Sequence, residues 1–303
     1  MQNLPQDDPE QDTPERHQVA KRSTLVSVVV NLFLTAVQMV VGVLAGSQAL
    51  VADGIHSLSD LIADFVVLLA NQHSRKEADD DHHYGHHRYE TAASFVLGGL
   101  LLAVGIGMLW SAVTRLSSPE TIVEVKPVAL YVALVALASK ELLFRYMLAA
   151  AERVRSSMLV ANAWHARSDA ASSLVVAVGI VGNLLGYPLL DPVAALIVGF
   201  MVAHMGWEFA WDALNDLMDR SASDEHIAQI REVLLSAPGV LGVHDLRTRK
   251  MGDMIMVDVH LEVDGDLSVR EGHDIAVSAR ERVMKQLPVL DVLAHLDPVA
   301  HHD

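Results

Sequence analysis

The chain has no cysteine among its 303 residues, which excludes a disulfide framework and thiolate metal ligation. Any metal site here has to be built from nitrogen and oxygen. Basic residues are also scarce. Lys and Arg number 22 against 38 Asp and Glu, a formal net charge of -16, and a nucleic-acid partner, which would need a basic face, is therefore not expected. The balance suits divalent cations. A basic start with a short apolar core is missing too, so the first eighteen residues, MQNLPQDDPEQDTPERHQ, do not resemble a cleavable signal. Their prolines and acids lack periodicity and predict a disordered tail over residues 1–18. No HExxH motif accompanies the histidines, which disfavours an intramembrane metal-dependent hydrolase.

What the chain does have is apolar sequence, 51% of its residues, and sixteen histidines. Because both ends are polar, the apolar residues concentrate in about six runs of roughly 20 residues, the length that crosses a hydrocarbon core about 30 Å thick. A multi-pass membrane protein is expected, with a six-helix transmembrane domain over residues 19–213. The helices are placed near 21–45, 48–71, 91–114, 127–149 and 157–184, with the sixth ending near Trp211. Basic residues mark the cytoplasmic side. Lys21, Arg22, Arg75, Lys76, Arg88, Arg145, Arg153, Arg155 and Arg167 flank one side, with Arg115 and Lys126 on the other, so both termini are expected in the cytoplasm. Gly42 with Gly46 and Gly182 with Gly186 have the GxxxG spacing of close helix packing.

From 220 to 303 the pattern becomes alternating and soluble. A helix with Ser and acids before it and Pro-Gly after it is followed by two strands around a Met-Gly-Asp turn, then an amphipathic helix and a third strand. This predicts a cytoplasmic α+β domain of αββαβ order, with helices on one face of a sheet.

Charge at membrane depth costs several kcal/mol unless it is paired or functional, which makes LVADGIHSLSD at 50–60 the sequence's anomaly. His56 and Asp60 stand one helical turn apart, and Asp53 and Asp64 extend their stripe. The fifth helix repeats the pair as His165 and Asp169. In antiparallel helices His56 lies at about the depth of Asp169, and Asp60 at that of His165. Together they offer two imidazoles and two carboxylates, a set that zinc accepts as a tetrahedron. Asn31 and Gln38 share a face of the first helix and would hydrogen-bond within the bundle or line the cavity beside the site. His204 and Glu208, near the end of the sixth helix, are read as side chains that reach the headgroups.

Two further clusters are candidates. The loop after the second helix offers Asp79, His82 and His86, with Asp80, Asp81, His83 and His87 beside them. In the soluble domain His244, His260 and Asp297 fall on three strands, with His273 on the second helix and His295 near the end of the third strand.

SQALVADGIHSLSD, HARSD, DDDHHYGHHRYE and GVHDLRTR…VDVHLEV…HLDP, in this order and covering about residues 20–298, resemble the cation diffusion facilitators, and most nearly their YiiP/FieF-type bacterial exporters. The resemblance implies a homodimer in the lipid bilayer of the bacterial inner membrane, exporting divalent metal in exchange for protons. Zinc is the first candidate and iron, cadmium, cobalt or manganese are the others. A metal-sensing or assembly protein of the same fold without transport would share every ligand. By the same resemblance, His56, Asp60, His165 and Asp169 form the transport site, Asp79, His82 and His86 a loop site, and His244, His260, His273, His295 and Asp297 a cytoplasmic binuclear site. Arg88 and Asp219 fall where a salt bridge joins the loop to the end of the sixth helix. Two positions depart from the pattern: His56 stands where the YiiP type has aspartate, and Leu296 where relatives can be polar. His56→Asp is therefore expected to broaden selectivity toward cadmium. Zinc and cadmium uptake measured in competition in sealed vesicles tests this, and an unchanged preference refutes it.

Overall fold

The computed structural model describes residues 14–299 apart from 75, 119, 121, 123 and 154–156. Six long helices come first: α1 (Pro14–Ala45), α2 (Gln48–Ser74), α3 (Arg88–Leu116), α4 (Val128–Arg153), α5 (Ser157–Leu184) and α6 (Leu190–Leu217). They are followed by α7 (Asp224–Leu235), β1 (Gly242–Met251), β2 (Met254–Asp264), α8 (Val269–Gln286) and β3 (Val289–Val299). The first helix thus starts inside the stretch read as a disordered tail; proline is well suited to a helix's first turn, where its missing N–H is no loss. Residues 1–13, and the basic flank positions Arg75 and Arg155, lie outside the described residues. By backbone contacts the chain divides into two compact units, Met1–Phe65 with Gly99–Trp207, and Val66–Gly98 with Glu208–Asp303.

Length and composition alone pick three candidate membrane spans among the described residues: Arg22–Ala45, Arg88–Leu116 and Leu190–Leu217, with mean hydropathies of 2.3, 2.2 and 1.6. The sequence reading expects six. The other three helices have 27, 26 and 28 residues, about 40 Å each at 1.5 Å per residue, so length is not what separates them. They carry polar and charged residues away from their ends: Asp53, His56, Asp60 and Asp64 in α2, Lys140, Glu141 and Arg145 in α4, and His165, Arg167 and Asp169 in α5.

In the first unit the core is rich in alanine. Ala45, Ala49, Ala52, Ala129, Ala133 and Ala177 are buried together with Leu50, Val176 and Ile180, the small residues that let helices approach where lipid supplies no hydrophobic drive. A Cβ added to Gly42 would stand 2.7 Å from Val51 Cγ2, so α1 and α2 meet at backbone distance there. The turn between them uses Gly46 at φ +76. The N-terminus of α2 is capped from another helix. Asp191 Oδ2 accepts from the Gln48 and Ala49 amides at 2.7 and 3.3 Å, and Asp191 Oδ1 accepts from Ser47 Oγ at 2.6 Å. Ser47 Oγ in turn accepts from the Leu50 amide at 3.1 Å. Three backbone amides of the kind a helix start leaves unsatisfied, those of Gln48, Ala49 and Leu50, are answered in one place.

The second unit holds the αββαβ domain. Ser223 caps α7, and Ser268 with Glu271 forms a capping box on α8. Strands β1 and β2 pair antiparallel through a hairpin whose Gly252 has φ +66, a conformation that glycine adopts without strain. Strand β3 returns parallel to β2, and α8 makes the crossover. Ile230, Leu234, Val257, Leu261, Ala279, Val283 and Val289 form the core between the helices and one face of the sheet, leaving the opposite face for chemistry.

The cap at Asp191 generates a prediction. Asp191→Ala leaves three donors of the α2 start without an acceptor and is expected to cost about 1–2 kcal/mol. Asp191→Asn keeps one oxygen and should lose less. The check is the apparent melting temperature of the detergent-solubilised chain, and equal melting temperatures for all three proteins would refute it.

Candidate metal sites

Among the described residues, His and carboxylate side chains gather in three places. The first lies between α2 and α5. His56, buried at 6% exposure, faces Asp60 through Nδ1 at 3.7 Å and Asp169 through Nε2 at 4.0 Å. His56 Nδ1 and Asp60 Oδ2 are both buried and have no hydrogen-bond partner. Native interiors seldom leave such atoms unanswered. A tetrahedral ion with bonds of 2.0–2.2 Å to nitrogen and oxygen holds its ligand atoms about 3.3–3.6 Å apart, close to these separations. The donor chemistry and the orphaned atoms fit a divalent cation.

His165 is placed differently from its partners. It occupies an exposed position of α5 within electrostatic reach of Asp60 and Asp64. Its ring nitrogens are not among the atoms gathered with His56, Asp60 and Asp169. Asp64 is exposed, whereas Asp53 is fully buried and engaged elsewhere. Its partner is Lys140 of α4, which lies 3.4 Å from Asp53 Oδ1. The sequence reading missed Lys140. The available signal was its charge in the middle of an apolar helix, the same cue that singled out His56 and Asp60.

The second cluster is the loop. Asp79 Oδ1 lies 3.2 Å from His82 Nδ1, Asp79 Oδ2 lies 3.4 Å from His86 Nε2, and the two imidazole rings are 4.4 Å apart. His86 Nδ1 is 3.2 Å from the Glu77 carbonyl. A carbonyl only accepts, so the proton sits on Nδ1 and Nε2 keeps its lone pair for a ligand. Lys76 Nζ, 2.6 Å from Asp79 Oδ2, competes for the same carboxylate, and this ammonium is the main reason the Asp79 carboxyl is held well below its ordinary range. Asp80, Asp81, His83 and His87 stand outside the group. Nearby, Arg88 clamps the end of α6: its guanidinium pairs with Asp219 and donates to the Leu217 carbonyl at 3.2 Å.

The third cluster is set by strand register. His244 is paired across from His260 in β1–β2, and His260 from His295 in β2–β3, so three imidazoles line up in one row of the sheet. Asp297, two residues past His295 on the same face, reaches all three: 3.0 Å to His244 Nε2, 2.9 Å to His260 Nδ1 and 3.4 Å to His295 Nε2. The hydrogen bond with His260 holds the Asp297 carboxyl below its ordinary range. Asp245 joins His244 and His260, another residue the sequence reading missed. A register irregularity between His244 and Arg247, with Asp245 at φ +47, breaks the strand's alternation there. His273 sits exposed on α8, outside the group. Leu296 packs against the domain core and contributes no ligand. The nitrogen and oxygen donors fit divalent ions in two overlapping groups that share His260: His244 with Asp245 and His260, and His260 with His295 and Asp297.

Comparison with known proteins decides the family. The model of the cation efflux transmembrane domain matches residues 24–218, and that of the cation efflux protein cytoplasmic domain matches residues 222–299. The chain belongs to the cation diffusion facilitator family. Facilitators of this kind move divalent metal cations across a membrane, and this one is a transporter rather than an enzyme. It is similar to metal tolerance protein C1 of Arabidopsis thaliana, with 34% identity over 88% of this chain and 59% of that relative. It is also similar to the manganese efflux system protein MneP of Bacillus subtilis, with 30% identity over 94% of this chain and 98% of that one. Among solved structures, the metal-bound C-terminal domain of the CzcD transporter from Thermotoga maritima is 29% identical, covering 26% of this chain and 93% of that one at a TM-score of 0.24.

The facilitator's cytoplasmic cluster has a defined response to pH. A depressed carboxyl such as Asp297 contributes stability above its ordinary pKa and loses it only as pH falls through the depressed value. Asp297 therefore stays ionised through mild acid. Metal and protons compete for the same donor atoms, so metal binding is expected to weaken as pH falls. Asp297→Asn is expected to weaken binding by at least about tenfold at pH 7. Equilibrium metal binding to the solubilised chain from pH 5 to 8 checks both, and pH-independent binding would count against the cluster.

Proposed function

We propose that the chain is a proton-coupled antiporter that exports divalent metal, zinc first, from the cytoplasm, working as a homodimer in the bacterial inner membrane with both termini cytoplasmic. The observation that carries this reading is the buried group His56, Asp60 and Asp169 with its two orphaned donor atoms. A metal binds neutral imidazole and ionised carboxylate, so protons compete at the same atoms. An inward proton gradient then expels the ion, and the proton-loaded site turns back empty. His165, one turn before Asp169 and within reach of Asp60, is assigned as the fourth ligand, recruited when the ion enters. The loop and cytoplasmic clusters would sample cytoplasmic metal before it reaches the membrane, with His273 serving the dimer.

A second reading of the cargo has its own support. One imidazole with two carboxylates is a harder donor set than two and two, and favours manganese more; the relative MneP is named for manganese efflux.

Flux into sealed proteoliposomes under an imposed pH gradient, with zinc, manganese and cadmium in competition, tests both readings. Zinc uptake that needs the gradient and falls at least about tenfold in Asp60→Ala is expected. Gradient-driven uptake of manganese in preference to zinc selects the second cargo. No uptake, or uptake unaffected by Asp60→Ala, leaves a sensing or assembly role and overturns the transport assignment.

A further inference from the structure

Asp53 belongs by spacing to the same stripe of α2 as His56 and Asp60, yet its carboxylate is turned to other partners. Oδ1 lies 3.0 Å from Ser172 Oγ and 3.4 Å from Lys140 Nζ. Oδ2 lies 2.7 Å from Ser173 Oγ and 3.5 Å from Lys140 Nζ, and also accepts from Gln38 Nε2. Asp53, Gln38, Ser172 and Ser173 are 0% exposed and Lys140 2%. A carboxylate offers about four lone-pair sites; Gln38, Lys140 and Ser173 donate to this one, and Ser172 Oγ shares its single proton between Asp53 Oδ1 and the Asp169 carbonyl. The arrangement abuts the metal group directly. Lys140 Nζ is 3.4 Å from the backbone carbonyl of Asp169, and Ser172 Oγ is 2.8 Å from the same oxygen.

Formal charge explains the need for this enclosure. With a divalent ion held by ionised Asp60 and Asp169, the metal site is neutral, and Lys140 cancels Asp53. Without the ammonium, a third carboxylate would stand one helical turn from His56 with lone pairs to offer.

We propose that Lys140 is a specificity-determining positioning residue: its ammonium, with Ser172, Ser173 and Gln38, keeps Asp53 out of the ligand set of the transported metal. The inference rests on the transport reading of the His56, Asp60 and Asp169 group. Asp53 and Lys140 do not touch the cargo. Their pairing limits the site to two carboxylates, and releasing Asp53 adds an oxygen donor that favours harder ions, manganese over zinc.

The test is manganese and zinc uptake measured in competition by the full-length chain in sealed vesicles, comparing wild type, Lys140→Met and the Asp53→Asn/Lys140→Met double variant. The manganese-to-zinc ratio is expected to rise on the order of tenfold in Lys140→Met and to return to the wild-type value in the double variant, which leaves neither charge unpaired. A wild-type ratio in Lys140→Met overturns the proposal. So does a double variant that keeps the raised ratio, since the shift then does not come from Asp53. If Lys140→Met does not fold, Ser173→Ala removes one donor without unpairing a charge; a smaller rise in the ratio is expected, and no rise overturns the proposal. Failure of the transport reading itself looks different, because uptake would then be absent or indifferent to Asp60→Ala.

Discussion

A charge placed in a medium of low dielectric must be paired, and the membrane half of this protein is arranged around two ways of meeting that requirement. Asp53 and Lys140 meet it internally. Removing one partner of such a buried pair typically costs about 3–5 kcal/mol, because the other is left uncompensated. His56, Asp60 and Asp169 meet it only in part. Their separations of 3.7 and 4.0 Å are too long for hydrogen bonds and well suited to ligands of a shared cation. The closed pair shares α2 with the open group and is tied to α5 through Ser172 and Ser173, so the rigidity of one gives the other its geometry.

Outside the membrane segments the chemistry is the same but the setting is wet. The loop cluster and the sheet cluster each combine imidazoles with a carboxylate whose charge is already favoured, by Lys76 at Asp79 and by His260 at Asp297. Water screens such pairs and weakens them.

The long helices, the αββαβ order and the stripes of histidine and aspartate were legible in the sequence because each rests on local periodicity. His56 with Asp60 and His165 with Asp169 are one-turn repeats, and the alternation in β1 and β2 is plain. Lys140 has no such mate: its partner Asp53 lies 87 positions away, and no local pattern announces a pairing across helices. Asp245 was hidden for a related reason. Alternation puts it on the face opposite His244, and only the irregular register and the positive φ of Asp245 bring the two together. Composition falls short at α2, α4 and α5 because polar side chains along these helices, the interior His and Asp residues among them, lower the apolarity by which a span is recognised.

The cap that Asp191 provides reaches beyond stability. One carboxylate at the beginning of α6 holds the first amides of α2, so α2 cannot slide along its axis at that end without dragging the α5–α6 corner with it. With Asp53 tied to Gln38, Lys140, Ser172 and Ser173 further along, the start of α2 is the fixed end of a lever. The largest excursions then fall far from the pin, the smallest fall beside it, and the cluster at His56, about two turns along, sits on the short arm, where a modest tilt turns the ligands with little displacement.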